Sequence, residues 1–379
     1  MLDISLIVLS AGESNRFKTK AKKQWLRSGD LPLWLNTAKR LASNYAFKDI
    51  VITGSSDDLP YMYGFCDYKI VKGGTTRQNS LINALQYIQS EYVLVSDAAR
   101  CAVPNFLTQK ILHECGNADI IVPYLPVTDT VAYDEKAIER GKVKLIQTPQ
   151  LSRTQTLKAA LSNSGEFTDE SSAISAYGGS VKYILGDARA EKLTFMNAKN
   201  PPLSLMSPPS PQTFTGIGFD AHAFEEGKPM YLGGVKIENA YGLKAHSDGD
   251  AAIHALIDAL LGAAGAGDIG EWFPDTDMKY KNIDSVKLLE SVAEFLTRVG
   301  FEIVHCDITI IAQKPKISPF KQAMSKRLAA VLNIPASHVN IKATTTENMG
   351  FIGREEGIAV QAAASLKYYD WTSDENINS

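Results

Sequence analysis

Short apolar runs alternate with amphipathic stretches along the first half of the chain. The stretches Leu33–Asn44 and Arg77–Ser90 have helical spacing, whereas the apolar runs predict buried strands. The predicted strands are Ser5–Ser10, Asp49–Gly54, Tyr68–Lys72, Tyr92–Ser96 and Asp119–Pro123. This alternation is typical of an α/β domain with a mostly parallel sheet, which binds ligands beyond the carboxyl ends of its strands.

The second half has a different pattern, in which helices and strands are less regularly alternated. Three helices are predicted at Ser247–Ala264, Ser285–Val299 and Pro319–Leu332, with Ser247 or Asp248 as N-cap of the first. Further strands are predicted at Phe301–Ala312, Val339–Thr345 and Gly357–Ala363. The pattern indicates an α+β domain without an internal repeat.

A proline-rich segment separates the two halves. Consecutive prolines remove backbone donors and favour an extended, semi-rigid spacer. We therefore predict a first domain at residues 1–200, a proline-rich linker at 201–212 and a second domain at 213–379. Both domains would have ordinary sizes.

Composition excludes some classes of protein. The 379 residues are 45% hydrophobic and carry a net charge of −3, whereas proteins that bind nucleic acid usually have a basic excess. The N-terminus lacks a basic signal segment. The apolar stretch Ala251–Gly267 contains His254 and Asp258, and it is shorter than a membrane span of roughly 20 residues. We expect a cytoplasmic protein with neither membrane nor nucleic-acid partners.

The cysteines form no zinc-binding CxxC pair and no dense disulfide framework. We expect reduced, mostly buried thiols, which are typical of a reducing compartment. The four residues are Cys66, Cys101, Cys115 and Cys306.

Two glycine-containing turns of the first half suit phosphate binding. Small residues at Ser10–Gly12 let the backbone approach a triphosphate, and Arg16 and Lys23 would reach the same phosphates. Alone, this loop also fits an ordinary strand-to-helix turn with solvated charges. A second turn, Gly73–Ser80, begins a helix. Asp97 ends an apolar strand, where its carboxylate could bind Mg²⁺ or could serve as a helix cap or turn residue.

Three residues of the second half suggest a metal site. Asp220 and His222 are two apart, which directs both side chains to one face of a strand, and His254 lies on the next helix. Two imidazoles and a carboxylate suit Zn²⁺ and leave a fourth position open, as in catalytic sites. Each histidine alone also fits a hydrogen-bonded core residue.

The first half resembles 2-C-methyl-D-erythritol 4-phosphate cytidylyltransferases over about residues 3–200. The matching motifs, in order, are Arg16, Lys23-Gln24, Gly73-Gly74, Arg77, Ser80, Asp97–Arg100, Asp129-Thr130, Thr148–Gln150, Thr168–Ser172 and Lys192–Thr194. Ser10 and Ser14 stand where the family usually has alanine and glycine, and Lys22 replaces a common proline.

This resemblance implies a Rossmann-like nucleotidyltransferase domain that transfers CMP from CTP to methylerythritol phosphate and releases pyrophosphate. Arg16, Lys23 and Lys192 would hold the triphosphate and stabilise the pentavalent phosphorus. The remaining implied contacts are Ser10, Ala11 and Gly12 with the nucleotide, Gly74, Arg77 and Ser80 with cytosine, Asp97 with Mg²⁺ or Mn²⁺, and Arg140 and Thr168 with the substrate phosphate.

Residues 214–370 resemble 2-C-methyl-D-erythritol 2,4-cyclodiphosphate synthases. The matching stretches are Gly218–Phe224, Gly233–Val235, Ala245–Asp250, His254–Gly270, Phe273–Asp277, Ile310–Lys316, Lys342–Glu347 and Phe351–Gly357. The resemblance implies an α+β cyclodiphosphate-synthase-like domain. In it, the 2-phosphate of the substrate attacks the β-phosphorus of its own CDP group, closes a ring and expels CMP.

The same resemblance implies roles for individual residues. Zinc or another divalent cation would be bound by Asp220, His222 and His254, and Glu347 would hold Mg²⁺ or Mn²⁺. The other implied contacts are His246 and Ser247 with phosphate, Asp248 with a metal ligand, Asp268 with erythritol hydroxyls, and Ala312, Lys316 and Thr345 with the cytidine and its phosphates. The family is a homotrimer with active sites between subunits. Phe351, Arg354 and Glu356 match positions near its central cavity, although a glycine-rich turn with surface charges fits them equally well.

Two other functions remain open from the sequence. One is a nucleotide-binding module fused to a non-catalytic zinc domain, and the other is a sugar nucleotidyltransferase that uses UTP or GTP.

Overall fold

The computed structural model describes residues 2–163, 165–194, 201–238, 241–280 and 283–373. The chain forms two compact units. One comprises Met1–Ser210 together with Asp370–Ser379, and the other comprises Pro211–Tyr369.

The first unit is built around an eight-stranded sheet. Its strands and small hairpins are β1 (Ile4–Leu9), β2 (Arg27–Ser28), β3 (Leu31–Pro32), β4 (Ile50–Gly54), β5 (Lys69–Lys72), β6 (Tyr92–Asp97), β7 (Ile120–Pro126), β8 (Val131–Tyr133), β9 (Lys136–Ile138), β10 (Lys144–Ile146), β11 (Gln150–Arg153) and β12 (Val181–Leu185). Its helices are α1 (Leu33–Ala42), α2 (Leu59–Met62), α3 (Arg77–Leu85), α4 (Asn105–His113), α5 (Thr154–Ser162), α6 (Glu170–Tyr177) and α7 (Pro201–Ser204).

The strand order in this sheet is β10-β7-β11-β6-β1-β4-β5, with β12 also paired to β7. Strand β1 is parallel to both β4 and β6, which confirms the predicted α/β fold with a mostly parallel sheet. Strand β11 runs antiparallel between β6 and β7. The central strands are apolar on both faces because helices cover both sides, as parallel sheets require. Leu9 pairs with Asp97 at the carboxyl ends of β1 and β6, so the loop from Ser10 begins beside Asp97.

The residues predicted as an interdomain linker are ordered against the first unit. Pro201–Ser204 form α7, and the following segment lies along the β2–β3 turn. The N–H of Gly29 donates to the carbonyl of Pro208 (3.1 Å), and the N–H of Ser210 donates to the carbonyl of Gly29 (3.0 Å). Prolines cannot donate to such a bridge, but their carbonyl oxygens accept normally, so the prolines do not make this segment a free spacer.

The segment after the second unit packs with the first unit. The sequence had instead predicted that the second domain would span residues 213–379. Trp371 is only 4% exposed, and its indole N–H donates to the carbonyl of Arg27 (2.7 Å). The Arg27 guanidinium lies near the rings of Trp25 and Phe65. Asp370 and the residues after it therefore belong with the first unit.

The second unit has a five-stranded sheet in the order β16-β13-β19-β17-β18. Its strands are β13 (Thr213–Glu226), β14 (Met230–Leu232), β15 (Val235–Ile237), β16 (Tyr241–Leu243), β17 (Phe301–Ile311), β18 (Val339–Thr344) and β19 (Gly357–Tyr368). Its helices are α8 (Ala251–Ala264), α9 (Ile269–Trp272), α10 (Ser285–Arg298), α11 (Lys321–Leu332) and α12 (Gly350–Gly353). Among the described strands of this unit, only β17 and β18 pair in parallel, so the predicted α+β fold is confirmed.

Helix α8 packs very closely against β13. A Cβ atom at Gly216 or Gly218 would collide with the backbone carbonyl of Ala259 or Ala255, so only glycine permits this approach. The helix begins later than predicted. Its N-cap is Asp250, rather than Ser247 or Asp248, because the Asp250 carboxylate accepts the N–H of Ile253 (3.1 Å). Burial raises the pKa of Asp250 to about 6.

All four cysteines are free. Cys101 and Cys306 are buried, and burial raises the pKa of each thiol to about 12. Among the described residues, no helix combines the length and apolar character needed to cross a membrane.

We predict that Trp371→Ala destabilises the first unit. Loss of a buried tryptophan typically costs about 3 kcal/mol or more, and here the Arg27 carbonyl also loses its donor. Calorimetry of the full chain should show a lower unfolding temperature for the first unit. Its transition is recognised as the one whose unfolding temperature rises when CTP is added. Trp371→Phe, which keeps a ring but removes the N–H, should give a smaller shift. An unchanged transition in Trp371→Ala would show that this contact contributes nothing to stability.

Candidate active sites

A cleft of about 800 Å³ opens at the carboxyl ends of the parallel strands in the first unit. Its lining contains every residue of the first unit that was predicted to contact the nucleotide. These are Ser10, Ala11, Gly12, Arg16, Lys23, Gly74, Arg77, Ser80, Asp97 and Lys192. The structure therefore brings together side chains that are up to 182 positions apart (192 − 10) in the sequence.

The loop after β1 is held by side chains that depart from the family pattern. Ser14 has a left-handed backbone (φ 59°), a conformation that costs a non-glycine residue of order 1 kcal/mol. Its hydroxyl donates to the side-chain carbonyl of Gln24 (2.8 Å) and accepts the N–H of Lys23 (3.1 Å). The amide of Gln24 in turn donates to the carbonyl of Gly12 (2.8 Å). Ser14 thus ties the loop after β1 to Lys23.

Lys22 adds ion pairs that also hold this loop. Its ammonium lies 2.9 Å from the carboxylate of Glu13 and 3.6 Å from that of the buried Asp58. A proline at this position would make neither contact. The substitutions at Ser14 and Lys22 therefore hold the loop through polar contacts instead of through backbone rigidity.

Lys23 is a cation of the cleft whose pKa is strongly lowered. Burial and the neighbouring positive charge of Lys192 lower its pKa to about 8, with a smaller contribution from Arg16. Its ammonium donates to the carbonyl of Leu193 (3.0 Å). Three cations held this close together form a favourable site for a polyanion.

Asp97 lies at the centre of a buried ionic cluster. One oxygen accepts from Arg77 Nε (2.9 Å) and the other from Lys192 Nζ (3.1 Å). Burial alone would raise the pKa of Asp97, but Arg77 and Lys192 hold it well below its ordinary value. Arg77 also pairs with the fully buried Glu170 (2.7 Å). The structure therefore shows Arg77 joining two carboxylates, whereas the sequence predicted a cytosine contact.

A second cavity of about 470 Å³ shares Arg77, Asp97 and Lys192 with the first. Thr168, for which the sequence predicted a contact with the substrate phosphate, is among its lining residues. It is also lined by Arg100, Gln150 and Asp169, to which the sequence analysis assigned no individual role. Arg100 belongs to the Asp97–Arg100 motif, and that motif was the signal that could have identified it.

Arg140 is not brought to these cavities. It begins a short exposed turn, and its guanidinium donates to the carbonyl of Thr128 (2.7 Å). The predicted contact with substrate phosphate is therefore not formed within one chain.

The second unit brings three potential metal ligands together. Asp220 Oδ2 lies 2.9 Å from His222 Nε2 and 3.2 Å from His254 Nδ1, and the two nitrogens are 3.4 Å apart. Ligands of tetrahedral zinc at 2.0–2.1 Å would be separated by about 3.3 Å, so the three atoms fit such an ion closely. They form a group that could hold a metal ion.

Electrostatics within this trio favour a charged carboxylate. Burial opposes ionisation of Asp220, but hydrogen bonds from His222 and His254 lower its pKa well below the ordinary value. For His254, burial opposes protonation, and Asp220 nevertheless raises the pKa of the ring.

The other ring nitrogen of His254 faces two hydroxyl groups. Nε2 lies 3.0 Å from Ser285 Oγ and 3.2 Å from Ser247 Oγ. Asp248 reaches the histidine only through Ser285, whose hydroxyl donates to Asp248 Oδ1 (2.6 Å). Ser247 was predicted to contact phosphate and Asp248 to contact a metal ligand, but the sequence analysis missed Ser285.

The remaining predicted residues of this unit occupy two regions. Ala312 and Thr345 follow the parallel strands β17 and β18, and the N–H of Ala312 donates to the carbonyl of Thr344 (3.0 Å). Glu347 is exposed and accepts the hydroxyl of Thr345 (2.9 Å). Three strand spacings, about 14 Å, separate β18 from β13, so this region lies apart from the metal ligands.

Several predicted residues lie on the surface of the second unit. His246, Lys316, Asp268, Phe351 and Arg354 are exposed. Asp268 caps α9 by accepting the N–H of Glu271 (2.9 Å), and Arg354 pairs with Glu356 (2.6 Å).

Comparison with known proteins covers nearly the whole chain. A family described as 2-C-methyl-D-erythritol 4-phosphate cytidylyltransferase matches residues 4–198, and the YgbB family matches residues 213–367. The "Bifunctional enzyme IspD/IspF" of Aliarcobacter butzleri is 56% identical over 372 residues, which cover 98% of this chain and 99% of that protein. The protein of the same name from Sulfurimonas denitrificans is 54% identical over 369 residues, covering 97% of this chain and 95% of that protein.

Among solved structures, the bifunctional IspDF from Campylobacter jejuni matches with a TM-score of 0.89 at 49% identity, covering 98% of this chain and all of that chain. Such matches define a two-domain enzyme of isoprenoid precursor synthesis. The chain belongs to the bifunctional IspD/IspF family, which joins a methylerythritol phosphate cytidylyltransferase to a cyclodiphosphate synthase. The predicted function is thereby confirmed, and neither alternative considered from the sequence is supported. The substrates are small molecules.

The pKa of Lys23 leads to a prediction about pH. If its ammonium holds the triphosphate, kcat/KM for CTP should fall as the pH rises through about 8, because this parameter reports the free enzyme. Pyrophosphate release measured from pH 6.5 to 9.5 would reveal the inflection. Lys23→Arg keeps its charge throughout this range and should lose the inflection. An identical inflection in Lys23→Arg would assign the titration to another group.

Proposed function

We propose that Arg16, Lys23 and Lys192 carry the cytidylyl transfer in the first unit. The observation that supports this most directly is their convergence on one cleft, close enough that the pKa of Lys23 is depressed. In the proposed step, a phosphate oxygen of methylerythritol phosphate attacks the α-phosphorus of CTP. The bond to the β-phosphate oxygen breaks, and its electrons leave with pyrophosphate.

The chemistry needs no strong base because the attacking phosphate is already anionic at neutral pH. Catalysis then consists of positioning and of stabilising the charge that builds on the equatorial oxygens. We propose that Ser10, Ala11 and Gly12 contact the phosphates through their backbone. Gly74 and Ser80 would lie against the cytosine base.

Asp97 is the proposed carboxylate for Mg²⁺ or Mn²⁺. Its low pKa keeps it ionised, although Arg77 and Lys192 already occupy its oxygens, so a metal ion would replace one of these contacts. Thr168, in the adjoining cavity, would bind the phosphate of the second substrate. Arg140 would share that role only by reaching the cavity of another copy.

For the second unit, we propose that Asp220, His222 and His254 bind zinc. The ion would supply Lewis acidity and a template for the diphosphate. The chain's own groups would orient the reacting ends. His246 and Ser247 would contact phosphate, and Asp268 would accept the erythritol hydroxyls. The attacking 2-phosphate bonds to the β-phosphorus as the bond to the CMP oxygen breaks.

The cytidine end of the cyclase substrate is assigned to a separate region of the chain. Ala312, Lys316 and Thr345 would surround the nucleotide, and Glu347 would hold Mg²⁺ or Mn²⁺. Thr345 and Glu347 follow β18, three strand spacings from β13, and Ala312 and Lys316 follow β17, two spacings from β13. We therefore propose that each complete site combines these two regions from neighbouring copies.

An exposed apolar surface supports this assembly. Ile217 and Phe219 on β13 are 67% and 60% exposed, on the face of the sheet opposite α8. A solvated sheet face is usually polar, and exposed apolar side chains of this size mark interfaces. By resemblance, we propose a trimer of the second unit, with Phe351 and Arg354 near its central cavity.

Selective loss of each activity would test the residue assignments. Lys192→Ala should lower pyrophosphate release about 100- to 1000-fold, the loss typical of removing a group that stabilises transition-state charge, while CMP release from the cyclase substrate is kept. His254→Ala should lower CMP release while pyrophosphate release is kept, and it should abolish stoichiometric zinc binding. Each variant serves as the folding control for the other. Full zinc content and CMP release in His254→Ala would refute the ligand assignment.

Phe219→Glu should dissociate the assembly, because it places a charge in an apolar contact. Solution mass measured by light scattering should fall, and CMP release should fall with it. Phe106→Glu is the matched control, since Phe106 is 55% exposed in the first unit. An unchanged mass for Phe219→Glu would place the interface elsewhere.

A further inference from the structure

His254 presents its two ring nitrogens to different surroundings. Nδ1 faces Asp220 and His222, whereas Nε2 faces the hydroxyls of Ser285 and Ser247. A neutral imidazole carries its proton on only one nitrogen. The ring can therefore offer a lone pair at Nδ1 only if Nε2 holds the proton and has an acceptor.

Ser285 has the hydrogen-bonding pattern of such an acceptor. Its side chain is fully buried, and its hydroxyl proton is directed to Asp248 Oδ1 (2.6 Å). The second oxygen of Asp248 accepts the backbone N–H of Ser285 (3.1 Å). Because the carboxylate accepts the Ser285 proton, the lone pairs of Oγ remain available to Nε2 of His254 at 3.0 Å.

Ser247 is placed less favourably for this role. It is 0.2 Å farther from Nε2, since the two distances are 3.2 and 3.0 Å. Its hydroxyl oxygen already accepts the N–H of Gly249 (3.2 Å). No carboxylate contact fixes the direction of its proton in the hydrogen bonds of the described residues. Ser247 remains free to turn its hydroxyl toward a substrate.

We propose that Ser285 is a positioning residue for the metal site. The relay from Asp248 through Ser285 to His254 holds the proton on Nε2 and leaves the Nδ1 lone pair for a metal ion bound beside Asp220 and His222. This inference rests on the proposed zinc ligands and adds the group that orients one of them. Partners of this kind typically change metal affinity 10- to 100-fold when removed.

A purely structural role for Ser285 is the competing explanation, because the residue begins α10. That helix has its own cap, however. The carboxylate of Asp284 accepts the N–H of Val286 (2.9 Å). The hydroxyl of Ser285 is therefore not needed to start the helix, and its contacts with Asp248 and His254 require another reason.

Zinc affinity of the full chain, measured by chelator competition, tests the proposal. Ser285→Ala should bind zinc 10- to 100-fold more weakly, whereas Ser247→Ala should stay within about threefold of the unmodified chain. Asp248→Asn should lose part of the same affinity. The variant that combines Ser285→Ala with Asp248→Asn should bind zinc no more weakly than Ser285→Ala alone, because the two residues act in series.

A second measurement separates positioning from stability. In the zinc-loaded chain with ¹⁵N-labelled histidine, the Nε2–H of His254 should exchange slowly with water, and in Ser285→Ala this protection should be lost. The metal-free variants should unfold at similar temperatures. Loss of thermal stability with unchanged zinc affinity would overturn the proposal in favour of the structural role.

The outcomes also distinguish this inference from the metal assignment itself. If His254→Ala keeps its zinc, the ligand set is wrong and both proposals fail. If His254→Ala loses zinc while Ser285→Ala binds normally, only the role of Ser285 is refuted. Should Ser285→Ala not fold, Asp248→Asn provides the same comparison with Ser285 intact.

Discussion

The close approach of α8 to β13 is the contact on which the second unit depends. Gly216 and Gly218 leave no atom between the strand and the helix backbone, and any larger residue would meet the carbonyls of Ala259 and Ala255. Asp220 follows Gly218 by two positions, and His254 precedes Ala255. The same contact that closes the core therefore sets the distance between the residues that could hold a metal ion. A small displacement of the helix would move His254 away from both Asp220 and the hydroxyl groups behind it.

Both active sites concentrate charge, but they do so in opposite ways. In the first unit, several cations of one cleft surround the ionised Asp97, and Arg77 also pairs with Glu170. Burial and the nearby positive charge of Lys192 make Lys23 give up its proton more readily than an ordinary lysine. In the second unit, one carboxylate is shared between two imidazoles. The first arrangement favours a polyanion, and the second favours a cation, which matches the chemistry of a nucleoside triphosphate and of a metal-assisted cyclisation.

The parts of these sites that could be predicted are those encoded by local spacing. The period of a strand placed Asp220 and His222 on one face, and the turn after a parallel strand placed Arg16 and Asp97 at one edge. Ser285 could not be found in this way, because it meets Asp248 across 37 positions and no local pattern marks it. Ser247 and Asp248 looked like helix caps, yet their side chains serve His254 and Ser285, while Asp250 caps the helix. Polar residues before a helix have several possible partners, and packing decides among them.

Trp371 has a consequence for how the protein is made. A ribosome releases the chain from its first residue onward, so Arg27 emerges long before the indole that its carbonyl accepts. The first unit lacks one of its buried side chains until the whole of the second unit has been synthesised. A nascent chain that stops within the second unit would therefore leave the first unit unfinished as well.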